Sequence, residues 1–109
     1  MTKGTIQTEY EFTLPVGFKD KEGTLHRKVT MRLATAGDEI LSRRDPKVQQ
    51  SEDYLPIVLL ARVVDQIGSF KGEAVTTGMI EGLFLADYEF LQNKYNEINL
   101  GPGASPGEG

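Results

Sequence analysis

The sequence predicts an α+β fold: an N-terminal antiparallel β-hairpin over about residues 6–16 and 25–33, then a short helix and two longer helices that form the core. Three observations carry that prediction. Residues 6–16 and 25–33 alternate apolar and polar side chains, the period of a half-buried strand. The run LPIVLLARVVDQI, Leu55 to Ile67, is apolar at nearly every position up to Val64 except Arg62. Ile80, Phe84, Tyr88, Leu91, Tyr95 and Ile98 recur at intervals of 4, 4, 3, 4 and 3, the stripe of one helix face. A chain of 109 residues has room for one such core. The expected division is a single domain over 1–100 and a disordered Gly/Pro-rich tail over 101–109.

In the first strand Ile6, Tyr10, Phe12, Leu14 and Val16 share one parity, and Gln7, Glu9, Glu11 and Thr13 the other. Pro15 cannot donate a ladder hydrogen bond, so this strand is an edge there or ends there. In the second, Leu25, Val29, Met31 and Leu33 alternate with His26, Lys28, Thr30 and Arg32. The intervening GFKDKEG is polar and bounded by glycines, a loop longer than a tight two-residue turn. Glu9 and Glu11 are expected to pair across the strands with Lys28 and Arg32.

The junction MRLATAGDEILSRRDPKVQQ carries the next signals. Thr35 suits an N-cap, and Asp38 and Glu39 sit where the positive end of a helix dipole favours them. One or two helical turns are expected over about 36–43, then a loop from Asp45-Pro46. Ser51 or Asp53 caps a helix starting near 53, because Pro56 fits only a first turn. The β-branched content of Leu55–Ile67 also suits a strand; length and the Gly68 stop favour helix. Residues 69–75 read as a connection, and Thr76 or Thr77 caps the last helical segment. Ala86-Asp87 interrupts the final stripe, so residues 76–99 fit one kinked helix or two.

Composition excludes several chemistries. There is no cysteine, hence no disulfide, thiolate metal site or cysteine nucleophile. A single histidine, His26, argues against a His-rich metal site and a Ser-His-Asp triad. The net charge of −4 argues against nucleic-acid binding. No segment approaches the length of a membrane helix, and the N-terminus lacks a secretory leader pattern, so a cytoplasmic location is expected. No cofactor is expected. His26 reads as a solvated surface residue. Asp38, Glu39 and Asp87 are the carboxylates an enzyme reading would use, and only their number motivates it. Arg43, Arg44 and Lys47 form a small basic cluster whose plain reading is a solvated loop. Tyr88 and Tyr95 belong at the rim of the core, since buried phenols need partners.

Three segments, YEFTLPVGFKDKEGTLHRKVTMRLATAGDEI, DPKVQQSEDYLPIVLLARVVDQIG and LFLADYEFLQNKYNEIN, resemble the phage tail assembly (tail assembly chaperone-like) family of contractile-tailed phages and phage-derived injection systems. The resemblance covers about residues 7–99. It implies a non-enzymatic role: a chaperone or adaptor for tape-measure or tube proteins in the producing cell, or a structural component retained in the finished tail or injection particle. Partners would be tape-measure, tube or baseplate proteins, with neither nucleic acid nor membrane. A groove beside the last helical stripe would hold an apolar helix of the partner. The candidate protein-binding residues are Arg43, Arg44, Tyr54, Tyr88 and Tyr95.

Overall fold

The computed structural model describes residues 7–101. Ile6, expected to begin the first strand, and the tail after Gly101 lie outside the described residues. The strands are β1 (Glu9–Lys19), β2 (Leu25–Arg32), β3 (Val64–Ile67) and β4 (Phe70–Lys71), all antiparallel in the order β1-β2-β3-β4. The helices are α1 (Ala36–Arg43), α2 (Pro46–Gln50), α3 (Leu55–Val63), α4 (Thr77–Glu81) and α5 (Leu85–Leu100), with 3-10 turns at Glu52–Tyr54 and Gly72–Ala74. Leu14, Val29, Met31, Val64 and Ile67 from the sheet meet Leu60 and Val63 of α3, Ile80 of α4 and Leu91 of α5 in one buried cluster. The fold is α+β, as the alternation and the helical stripe require.

The hairpin forms with an irregularity that alternation does not announce. Thr13 pairs with Lys28 and Phe18 with His26, so residues 14–17 stand opposite Arg27 alone. In this bulge Leu14 turns into the core, whereas Val16, expected on the apolar face, is 40% exposed. Gly17 has φ +118°, and a Cβ there would lie 2.9 Å from the Arg27 side chain. Arg27 satisfies the freed carbonyls, donating from Nε to Leu14 O (3.0 Å) and from a terminal nitrogen to Pro15 O (3.3 Å). The strand therefore runs past Pro15 to Lys19, with the proline at an edge bulge.

Three helical expectations are corrected. A helix, not a loop, begins after Asp45, with Pro46 as its first residue. Proline at the first helical position loses no needed N–H, and Asp45 Oδ1 caps the turn by accepting from Lys47 N at 2.8 Å. The helix expected from about 53 to Ile67 ends at Val63, and residues 64–67 are strand. The open edge of β2 offers Val29, Thr30 and Met31 as partners, and cross-strand pairing outweighs continuation of the helix. Asp65 is an extra residue in that ladder, so Val64 and Ile67 both reach the buried face. Gly68 does not stop a helix; at φ +58° it makes the β3–β4 turn, and its N–H donates to Lys28 O at 2.8 Å. The final stripe is two helices, broken at Gly82–Phe84. The connection over 69–75 contains β4 and a 3-10 turn.

Candidate protein-binding surface

The β2–α1 junction is built around Asp38. The predicted Thr35 cap closes a reciprocal box: Asp38 N donates to Thr35 Oγ1 (3.2 Å), and Thr35 N donates to Asp38 Oδ2 (2.8 Å). The same carboxylate, buried on one side of α1, accepts from both Arg32 terminal nitrogens at 2.7 and 2.9 Å, and from Arg62 Nε at 3.3 Å. The Arg32 bonds, with smaller contributions from Thr35, hold the Asp38 carboxyl well below the usual carboxylate range despite its burial. This corrects the expected charge pairing within the hairpin. Arg32 faces Glu9 in the register, yet its guanidinium turns to Asp38. Lys28 faces Thr13, and no ion pair joins Glu9 or Glu11 to either cation among the described residues.

The junction also fixes the end of α5. Ala34 N donates to Asn99 Oδ1 at 2.9 Å, and Asn99 Nδ2 donates to Tyr95 O at 2.9 Å. Tyr95 is half-buried; burial first, then the nearby Glu39 and Asp38 carboxylates, push its phenol pKa up. Its ring borders an apolar depression of about 220 Å3 with Leu55, Pro56, Leu59 and Leu60 of α3 and Gln92 and Asn96 of α5. A second, more polar depression of about 560 Å3 shares Leu55 and Pro56 with it and adds Arg43, Val48, Gln49 and Glu52. A third, about 330 Å3, lies against Tyr88, Ile57, Ile80, Glu81, Leu83 and Leu85. Leu85, Tyr88, Gln92 and Tyr95 succeed each other at helical spacing on α5, so one helix face borders the first and third depressions.

Four of the five candidate residues thus fall into two pairs, with Arg44 outside both. Arg43 and Tyr95 border different depressions that share the Leu55–Pro56 wall. Tyr54 lines none of the depressions; its neighbour Glu81, whose carboxylate raises the Tyr54 phenol pKa, rims the Tyr88 depression. Tyr88 is half-buried, and burial raises its pKa. Arg44 lines none of these depressions; it is exposed and closes α1, its N–H donating to Leu41 O at 3.2 Å. Large apolar side chains remain in solvent beside this face, with Phe84 46% and Leu85 68% exposed.

The carboxylates that an enzyme reading would use are separately engaged. Asp38 is held by two arginines, Glu39 is exposed, and Asp87 is fully buried against the β1 bulge. Asp87 is at the third position of α5 rather than its cap, and its oxygens accept from Val16 N and Gly17 N, each at 2.9 Å. Two structural residues escape sequence reasoning. Asp87 resembles any acidic residue in a first helical turn. His26 is not solvated: its side chain is only 13% exposed, packed with Phe18 and Phe70 and 2.8 Å from Asp20. The correction arises from the bulge, which shifts the hairpin register and places His26 opposite Phe18. Among the described residues no helix is long and apolar enough to cross a membrane. No protein-family model, curated protein or solved structure matches the chain.

Proposed function

We propose that this chain is a non-enzymatic phage tail assembly protein, acting as a chaperone or adaptor that grips tape-measure or tube proteins while a tail is built in the host cytoplasm. The resemblance across residues 7–99 motivates the choice of system. The observation that carries the binding role is the apolar face between α3 and α5, with depressions at Tyr95 and Tyr88 and Leu85 left in solvent at the start of α5. A groove bordered by aromatic side chains at helical spacing suits an apolar helix of another polypeptide, because aromatic anchors dominate interface energetics.

The test is co-expression of the tagged chain with the tape-measure, tube and baseplate proteins of the same gene cluster, followed by capture. Retention of one of them, lost in Leu85→Glu and Tyr95→Ala variants that keep the helical circular-dichroism signal, supports the reading. Failure of the unaltered chain to retain any tail protein overturns it. Mass spectrometry of purified particles then distinguishes a transient chaperone from a component kept in the tail.

A further inference from the structure

We propose that His26 is a pH-responsive clamp that holds the β1–β2 loop, residues 20–24, closed against the sheet and tightens as the imidazole gains its proton. The loop turns on Asp20. One oxygen, Oδ1, accepts from Glu22 N (2.9 Å) and Thr24 N (3.0 Å), while the other, Oδ2, meets His26 Nε2 at 2.8 Å. A carboxylate only accepts, so Nε2 carries the hydrogen in this bond. The imidazole is packed between two aromatic rings and the Gly68 backbone. Its ring centroid lies 5.2 Å from Phe70 and 6.4 Å from Phe18, and a Cβ on Gly68 would come 2.2 Å from Nδ1, so the backbone there closes over the ring.

The clamp has a consequence outside the loop. Residues 19–22 form one wall of a depression of about 760 Å3, whose other wall includes Phe70 and Met79. Tightening or release of the loop therefore changes the width of that cleft.

The sign is set by the charges. A hydrogen bond between an imidazolium and a carboxylate is stronger than one from a neutral imidazole. The bond to His26 lowers the Asp20 pKa, so Asp20 stays ionised throughout the range in which an imidazole titrates, about pH 5 to 8. The clamp is thus tightest at the acid end of that range and loosens as pH rises. Asp20 is the only ion-pair partner of His26 among the described residues. Lys19, Lys21 and Glu22 stand on the cleft wall, Arg27 and Lys28 flank His26 on β2, and Lys71 succeeds Phe70 on β4. Loss of the step in His26→Gln assigns it to the imidazole rather than to these groups.

Amide hydrogen exchange at Glu22 and Thr24, corrected for intrinsic rates, tests the clamp on the full chain. Protection is expected to fall by about fivefold from roughly pH 5.5 to 8, the difference between a charged and a neutral donor. Its midpoint should coincide with the titration of the His26 ring protons. His26→Gln and Asp20→Asn should each abolish the step. Protection that stays level across this range in the unaltered chain, or a step that survives in His26→Gln, overturns the proposal.

Discussion

Two buried carboxylates hold the helices to the sheet, and they do it differently. Asp38 joins β2, α1 and α3 through two guanidinium groups and a hydroxyl cap. Asp87 joins α5 to the β1 bulge through two backbone N–H groups, with no ion pair among the described residues. In the first, charge neutralises charge, and Arg32 and Arg62 keep part of their surface in water. In the second, the carboxylate is wholly enclosed and its role is to satisfy donors that the bulge has removed from the ladder. The irregular joint, not the ionic one, is the less replaceable. Losing Asp87 orphans two peptide groups at once, whereas losing one arginine leaves Asp38 another cation.

The largest effect should come from Asp87→Ala. Two N–H groups lose their acceptor beside a fully buried position, and urea denaturation should register a loss of about 3 kcal/mol. Asp87→Asn, which keeps one acceptor oxygen, should lose less. Next is Arg32→Met, which removes the bidentate partner but retains Arg62; about 2 kcal/mol of destabilisation is expected by the same measurement. Equal losses at Asp87 and Arg32 would break the comparison. Gly17→Ala probes the bulge itself, where positive φ and the Arg27 contact together should cost about 1–2 kcal/mol. Arg62→Ala should cost under about 1 kcal/mol, because its bond is longer and its side chain is more than a third exposed.

Acid titration sharpens the same contrast. The folded-state pKa of Asp38 is depressed, so its stabilising contribution is complete above the unfolded carboxylate value of about 3.9 and is lost as pH falls below it. Asp38→Asn should therefore lower stability at neutral pH and flatten the stability curve below about pH 4.

Much of this architecture is legible from residue order. Thr35 announces its cap by residue type at the strand–helix junction, and the alternation of Phe12 and Leu14 announces the inward face of β1. The features that escape are set by contacts far along the chain. Val64–Ile67 becomes a strand only because β2 presents an unpaired edge. Asp87 acts on residues 70 and 71 positions away, beyond any local pattern. His26 turns inward because four residues of β1 stand opposite one of β2. Among the candidate binding residues, Tyr88 and Tyr95 are placed on the core stripe by helical spacing and at its rim by the need of a phenol for a partner. The division into two depressions depends on where α3 crosses α5, which no spacing encodes.

The most direct test of the binding role is to install a photocrosslinking residue at position 95 and activate it in cells assembling tails. A covalent adduct with a tape-measure, tube or baseplate protein is expected, and it should be absent when the crosslinker sits at Lys28 on the polar face of the sheet. Equal labelling from both positions, or no tail protein captured from position 95 by a chain that remains folded, would contradict it.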